Sequence, residues 1–198
     1  MKKSIALAIV GLAAAGSPAW GTGVILLDNY DSYGPYVTYG PGGNGVVGTG
    51  LNSSYTAGIY YALGNVLSLV TPDPSGFANP PTLYAGFNLA TGTGSTATFG
   101  AFGTPGTFRS PQGFAITGNP GDTITAMVVA YNGASYSSSS YRGHSLAFTM
   151  PLSAATDPNP NEVGNYMQGF SVPIPEPAIL ALGGLGGLAL LLLRRKQS

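Results

Sequence analysis

Cysteine is absent from the 198-residue chain, and charged side chains make up only 7% of it. The lack of cysteine excludes disulfides, thiolate nucleophiles and zinc–thiolate sites. Lysine and arginine together number 7, as do aspartate and glutamate, so there is no basic excess. Because nucleic-acid binding depends on such an excess, we predict no nucleic-acid partner.

Glycine and proline are abundant instead, with 31 and 16 residues. This content approaches that of low-complexity chains. However, 44% of the residues are hydrophobic and 11% are aromatic, which argues against a disordered protein. The length allows one ordinary domain with short appendages.

The few charges are separated by sign along the chain. All seven acidic residues lie between 22 and 177, where only two cations occur, so this segment carries a net charge of −5. The other five cations lie at the two ends of the chain, each group beside an apolar run: Lys2, Lys3, Arg194, Arg195 and Lys196. This pattern indicates two membrane-directed segments whose basic ends stay in the cytoplasm.

The N-terminal segment has the three parts of a secretory signal peptide. Two lysines precede an apolar run of 11 residues, and small residues follow at Ser17, Ala19 and Gly21. The run is too short for an ordinary membrane span of about 20 residues. Cleavage after Ala19 and cleavage after Gly21 both fit, and we favour the second. We therefore predict that residues 1–21 are a signal helix recognised by the Sec export machinery and then removed.

The C-terminal segment consists of an apolar run followed by a basic tail. An uncharged apolar run covers residues 178–193, which is 16 residues or about 24 Å of helix. It shows no polar face, unlike a helix on the surface of a soluble domain. We predict a transmembrane helix over 178–193 and a basic tail over 194–198, in which Arg194, Arg195 and Lys196 act as a cytoplasmic stop signal.

A Pro-Glu-Pro triplet, an apolar span and an arginine-rich end together resemble the PEP-CTERM sorting signal. The triplet is Pro175, Glu176 and Pro177, and the resemblance covers residues 173–198. It implies an exported protein of a Gram-negative bacterium whose tail is held transiently in the inner membrane. It also implies a partner, exosortase, a transpeptidase-like membrane protease that processes the tail at the triplet. The two prolines keep the chain extended there, and so accessible to a protease.

Residues 22–172 supply the folded body. Short runs of β-forming residues are separated there by turn signals rich in glycine, proline and asparagine. The predicted strands cover residues 24–27, 36–39, 55–63, 66–70, 82–89, 96–99, 113–117, 122–131, 145–150 and 167–172. We expect one all-β exported domain, a single β-sandwich of the immunoglobulin-like or jelly-roll-like kind.

The run 122–131 alternates most clearly. Ile124, Ala126 and Val128 point to one side, and Thr123, Thr125 and Met127 point to the other. Because side chains of a strand alternate between its two faces, this pattern predicts a strand with a single core face.

Catalytic patterns are weak. His144 is the only histidine, and its glycine–serine surroundings are typical of a structural or exposed residue rather than a serine-hydrolase relay. Two pairs of carboxylates, Asp28 with Asp31 and Asp157 with Glu162, have no fixed separation that would indicate a glycosidase. We predict no catalytic residue and no enzyme activity.

Two polar stretches offer hard oxygen ligands. One is the loop from Asp157 to Glu162, and the other contains Asp28, Asn29 and Asp31. Calcium prefers such ligands, but the first loop lacks the glycine of a calcium-binding loop. We interpret both as polar turns and predict no cofactor, with a Ca²⁺ site as the alternative.

Tyr30, Tyr33, Tyr36 and Tyr39 recur at every third residue. Aromatic faces stack on sugars when exposed, so these tyrosines are the candidate glycan contacts; the alternative is that they pack within the sheets. The family resemblance places such proteins beside exopolysaccharide production. We therefore expect a non-catalytic protein of the cell surface, extracellular matrix or biofilm, with a carbohydrate-binding module as the alternative and a hydrolase as the third hypothesis.

Overall fold

A computed structural model describes residues 21–31 and 36–173. Strands dominate these residues, which contain a single four-residue α-helix, α1 (Pro80–Leu83). The strands are β1 (Thr22–Ile25), β2 (Val37–Tyr39), β3 (Thr56–Leu63), β4 (Asn88–Leu89), β5 (Thr96–Thr98), β6 (Phe114–Thr117), β7 (Thr123–Asn132), β8 (Tyr141–His144), β9 (Phe148–Pro151), β10 (Ser153–Ala154) and β11 (Phe170–Val172). Short 3₁₀ helices cover Leu67–Leu69, Ala101–Gly103 and Val163–Asn165. The prediction of an all-β body is confirmed.

The largest of the three sheets is built around β3 and β7. These two strands pair antiparallel over eight residue pairs, with Ile59 opposite Val128 near the middle. The free edge of β3 is shared by β4 and β5, and that of β7 by β8 and β9. Both strands are therefore central, which explains their high content of buried β-branched and aromatic residues.

Two smaller sheets complete the body. One has the antiparallel order β10-β1-β6, and the other joins β2 and β11 in parallel. Buried residues of the β1 sheet, Ile25 and Phe114, belong to the same hydrophobic cluster as Ile59 and Val128 of the large sheet. Tyr61 of β3 also meets Phe114 of β6, with ring centroids 5.7 Å apart. The two sheets thus share one core, while the specific sandwich topology stays a prediction.

The prediction that β7 has a single core face is wrong. Its even-numbered side chains from Ile124 to Ala130 lie in the main core, but Met127 and Val129 are also buried, in a second cluster on the opposite face. Tyr60 of β3 and Tyr136 of the β7–β8 loop belong to this second cluster. The strand is covered on both sides, and this is why its sequence carries so little polar character.

The predicted strands 66–70 and 82–89 are also largely wrong. The first forms a 3₁₀ helix, and most of the second forms α1 and a turn, with only β4 extended. Two prolines open α1 at Pro80 and Pro81, where proline's missing N–H and fixed φ suit a first helical turn. Leu83 and Phe87 then pack into the second cluster. These apolar residues cover the large sheet rather than extend it.

Sequence patterning missed β8, which contains Arg142, Gly143 and His144. Gly143 allows a close approach, because a Cβ there would lie 2.9 Å from the carbonyl oxygen of Ser171 and 3.1 Å from the Cα of Val172 in β11. The guanidinium of Arg142 lies over the Phe77 ring, 4.2 Å from its centroid. A strand with a cation and a glycine does not alternate in hydropathy, so it escaped detection. The short β10 was missed as well.

The predicted signal helix over 1–21, apart from Gly21, and the predicted transmembrane helix over 178–193 lie outside the described residues. In the part of the chain that the structure describes, no helix combines the length and apolar character that a membrane crossing requires.

Candidate functional site

The predicted sorting residues Pro175, Glu176 and Pro177, and the basic residues Arg194, Arg195 and Lys196, lie outside the described residues. The structure shows the chain up to Pro173. Val172 of β11 is fully buried, and its carbonyl oxygen accepts a hydrogen bond of 2.9 Å from the N–H of Gly40. Gly40 lies so close that a Cβ there would be 3.0 Å from the nitrogen of Pro173. The folded body thus holds the chain as far as the first residue of the predicted sorting segment.

Three of the four tyrosines predicted as glycan contacts lie among the described residues, and they differ in exposure. Tyr39 is buried in the main core, so it is not available to stack on a sugar, and this part of the prediction is wrong. Tyr36 is 55% exposed, and Tyr30 is half-buried. Tyr33 lies outside the described residues. Tyr36 directly precedes β2 and Tyr39 ends it, and in an extended chain a spacing of three residues places two side chains on opposite faces.

A groove of about 870 Å³ lies beside Tyr30, on the surface next to β1. Its lining includes Phe102, Arg109, Gln112, Asp157 and Pro160. It therefore combines one aromatic ring with polar side chains and several prolines.

Phe102 is the most unusual residue of this groove. Its side chain is 74% exposed, and its backbone has φ 49° and ψ 31°. A bulky residue rarely adopts this left-handed conformation, which costs about 1–3 kcal/mol and often marks functional positions. The Tyr30 ring lies against it at a centroid distance of 5.0 Å, and the guanidinium of Arg109 lies 5.6 Å from the ring centroid. The exposed aromatic surface at the groove is therefore formed by Phe102, and the half-buried Tyr30 ring packs against it.

Three carboxylates meet beside Arg109, and we call them the acidic cluster. Asp28, Asp31 and Glu162 each place a carboxylate oxygen within 4.8 Å of the other two. Arg109 is the cation among them: its Nε lies 3.2 Å from Asp28 Oδ2, and its Nη1 lies 2.7 Å from Asp31 Oδ2. Three negative charges and one positive charge leave a formal charge of −2 when all groups are ionised.

The backbone fixes the acidic cluster from two sides. The N–H of Val163 donates to the carbonyl of Leu26 at 3.0 Å, and the N–H of Gly164 donates to that of Asp28 at 2.8 Å. On the other side, Asp28 forms an antiparallel bridge with Arg109. Segments far apart in sequence are thus held in register, and their side chains come together as a consequence.

Burial raises the pKa of the Asp28 carboxyl, although the N–H groups of Tyr30 and Asp31 donate hydrogen bonds to its Oδ1 and favour the ionised form. Burial also raises the pKa of Glu162, and the charges of Asp28 and Asp31 raise it further. Arg109 opposes both shifts without cancelling them. The acidic cluster is therefore under-neutralised.

The predicted ligand loop from Asp157 to Glu162 does not close on itself. Asp157 is exposed, and its Oδ1 accepts the N–H of Asn159 at 2.9 Å. The amide side chain of Asn161 donates to the carbonyl of Pro151 at 3.1 Å. Glu162 instead joins Asp28 and Asp31 from the other predicted stretch. The fold has combined one member of the first candidate with two members of the second.

His144 is buried, not exposed. Its Nδ1 faces the carbonyl oxygen of Ser145 at 2.8 Å, and its Nε2 faces Asp73 Oδ2 at 3.0 Å. Both ring nitrogens are therefore occupied by oxygen atoms of the protein. The Ser145 hydroxyl does not face the ring; it accepts the N–H of Val128 and donates to the carbonyl of Leu146. The three residues are thus arranged as structural hydrogen bonds, not as a nucleophile–base–acid relay.

Asp73 collects five hydrogen bonds on its carboxylate. The donors are the N–H and hydroxyl of Ser75, the N–H groups of Phe77 and Ala78, and His144. Burial opposes ionisation of this carboxyl, but the hydrogen bonds outweigh it and hold the pKa of Asp73 well below its ordinary value. Asp73 therefore fastens its loop to β8 as a satisfied anion.

Sequence reasoning did not single out Phe102, Asp73 or Arg109. Asp73 begins an Asp-Pro-Ser-Gly run, a recognisable signal of an aspartate-capped turn. Arg109 is one of only two cations between residues 22 and 177, and that scarcity is a signal that it has a specific partner. Phe102 carries no such signal, since its exposure depends on the backbone conformation.

A comparison with protein families matches residues 173–196 to the PEP-CTERM protein-sorting motif. The match coincides with the triplet, the apolar run and the arginine-rich end. No curated protein and no solved structure matches the chain significantly.

Proposed function

Since the chain is a PEP-CTERM domain-containing protein, we propose that its body, residues 22–172, is a non-catalytic component of the cell surface, extracellular matrix or biofilm and associates with exopolysaccharide. The matched motif implies an exported protein of a Gram-negative bacterium that an exosortase membrane protease processes. That motif is the observation that carries the proposal. In this proposal, the processed protein is then delivered to the cell surface.

Two features of the body support a structural role. The single histidine is occupied by Asp73 and a backbone carbonyl, and the neighbouring Ser145 hydroxyl is occupied by backbone groups. The closely spaced carboxylates of the acidic cluster share Arg109, and Asp28 among them is fully buried. A glycosidase needs two carboxyl groups that flank an accessible bond, so these contacts favour binding or scaffolding over turnover.

The sorting step is tested with the double variant Pro175→Ala/Glu176→Ala, expressed in a host that contains exosortase. We expect the wild-type protein to be shortened at its C-terminal end and to leave the inner membrane. The variant should keep its tail and remain in the membrane fraction. Mass spectrometry of the mature ends and cell fractionation measure both outcomes.

Gln197→Ala is the matched control, because Gln197 lies in the tail but outside the motif residues 173–196. It should be processed like the wild type. Equal processing of the double variant, or an intact wild-type chain in the cytosol, contradicts the sorting proposal. Shortening of purified exopolysaccharide by the mature protein, seen by size-exclusion chromatography, contradicts the non-catalytic role.

The groove favours carbohydrate binding as a second candidate. Phe102 offers an exposed ring in a strained backbone conformation, Tyr30 supports that ring, and Gln112 adds a polar group beside it. Sugars are bound by such combinations of an aromatic face and hydrogen-bonding groups. The contacts differ from the predicted tyrosine series, of which Tyr30 packs against the groove residue Phe102.

This candidate is tested by electrophoresis of the protein through gels that contain exopolysaccharide. Phe102→Ala should reduce the retardation, with an apparent affinity about fivefold lower than that of the wild type. This change corresponds to the loss of about 1 kcal/mol of stacking. Leu69→Ala removes another exposed apolar side chain, 61% exposed and not part of the groove lining, and should leave binding unchanged. If both variants bind alike, the groove is not the site.

A further inference from the structure

The acidic cluster contains an oxygen that the protein leaves without a hydrogen bond. Asp28 is fully buried, and its Oδ2 accepts no hydrogen bond from the described residues. The Nε of Arg109 lies 3.2 Å away and forms an ion pair with this oxygen, but no hydrogen bond. Its partner Oδ1 is already occupied by the N–H groups of Tyr30 and Asp31. A buried carboxylate oxygen in this state is costly unless another positive group completes it.

The charge of the acidic cluster points to the kind of group that is missing. Arg109 supplies one positive charge to Asp28, Asp31 and Glu162, which leaves −2. A divalent cation would bring that sum to zero. A second protein cation is not at hand, because Arg142 is the only other lysine or arginine among the described residues and lies over Phe77 and Tyr136.

The distances fit the same conclusion. The three carboxylate oxygens lie within 4.8 Å of one another. Calcium binds oxygen at about 2.4 Å, so oxygens on one ion are at most about 4.8 Å apart. Oxygen ligands alone, with no histidine or cysteine, favour calcium over transition metals.

We propose that Asp28, Asp31 and Glu162 bind a divalent cation of the calcium class. The ion would join the segment after β1 to the segment before the Val163–Asn165 turn, which are already linked by the hydrogen bond between Leu26 and Val163. This site goes beyond the proposed function and does not depend on it. Proteins outside the cell meet calcium at concentrations where sites with Kd of about 10⁻⁴–10⁻³ M are filled.

Calcium binding is measured on the full chain in detergent after EDTA treatment. About 1 mM CaCl₂ should raise Tm by about 3 °C, and Tb³⁺ should bind with luminescence that CaCl₂ displaces. Asp31→Asn and Glu162→Gln should each weaken calcium binding by about tenfold. Both side chains lie at the partly exposed rim of the acidic cluster, so the variants keep the test usable even if Asp28→Asn does not fold.

Asp157→Asn is the matched control, because Asp157 is an exposed acid of the same region outside the acidic cluster. It should bind calcium like the wild type. The site is overturned if calcium causes no shift in Tm and does not displace Tb³⁺. It is also overturned if Glu162→Gln responds as the wild type does, or if MgCl₂ at equal concentration gives an equal shift, which would indicate general charge screening.

Discussion

Two acidic sites of the body differ in how far the fold stabilises their ionised carboxylates. At the Asp73 site, five donors surround a single carboxylate, and its pKa is held low. At the acidic cluster, three carboxylates share one arginine, and the pKa values of Asp28 and Glu162 are raised. The chain has only seven acids, so four of them are concentrated in these two places.

The difference separates a structural ion from an incomplete site. Asp73 is stabilised by groups that the fold itself provides, so its charge contributes to folding. The acidic cluster carries more charge than the fold compensates, and its ionisation works against folding. Substitution of Asp73 should therefore lower the stability of the fold. Substitution in the acidic cluster should leave stability unchanged or raise it, and should weaken ligand binding.

The largest effect is expected from Asp73→Ala. Removal of the carboxylate leaves the imidazole of His144 and several N–H groups without their acceptor, so unfolding should become easier by about 3 kcal/mol at neutral pH. Urea denaturation measures the change. Asp157→Ala removes an exposed acid and should cost less than about 0.5 kcal/mol. Equal losses in the two variants would contradict the structural role of Asp73.

A pH series with Asp73→Asn should show a difference of about 2 kcal/mol that disappears in acid. The folded pKa of Asp73 lies below its unfolded value of about 3.9, so its stabilisation is present above that value and is lost as pH falls through the folded pKa. Urea denaturation at several pH values between about 5 and about 3 tests this, and the difference should shrink toward the acid end of the range. A difference that stays constant over this range would exclude the ionised carboxylate as the cause.

Gly143→Ala should cost about 2 kcal/mol. The added Cβ would lie 2.9 Å from the Ser171 carbonyl oxygen and would push β8, with His144, away from β11. Gly58→Ala is the matched control in β3, where the nearest atom is a side-chain methyl of Val129 at 3.3 Å. It should cost less than about 1 kcal/mol. Thermal unfolding compares the stability of the two variants. A larger loss in Gly58→Ala than in Gly143→Ala would show that β8 and β11 can move apart to accommodate the added methyl group.

The smallest effect is expected from Glu162→Gln in the absence of calcium. It relieves repulsion from Asp28 and Asp31, so the variant should be as stable as the wild type or more stable by about 0.5 kcal/mol. Urea denaturation in EDTA provides the measurement. A loss of more than about 1 kcal/mol would mean that the fold stabilises the ionised Glu162 carboxylate.

Sequence patterning was sufficient for the central strands. The alternation in β7 and the aromatic and β-branched run in β3 are local signals, and both strands form close to their predicted bounds. What covers them is not a local property. Residues 66–70 have the apolar content of a strand, yet Leu67–Leu69 form a 3₁₀ helix, and Val66 and Val70 pack against the second cluster.

The candidate site was less accessible to sequence reasoning. Asp28 and Asp31 were recognised as oxygen ligands, and so was Glu162, but as parts of two separate turns. Their meeting depends on the pairing of Leu26 with Glu162, a long-range contact that no spacing along the chain encodes. Tyr39 departed from the tyrosine series because a spacing of three does not keep residues on one face of a strand such as β2.

The last strand, β11, decides what a proteolytic cut at the sorting triplet removes. The buried Val172 lies before the triplet at 175–177, and β11 is paired with β2 upstream of any such cut. Scission there would leave β11 and the buried Val172 with the body. Cleavage at the triplet would therefore separate the sorting signal from a body that keeps all of its described strands.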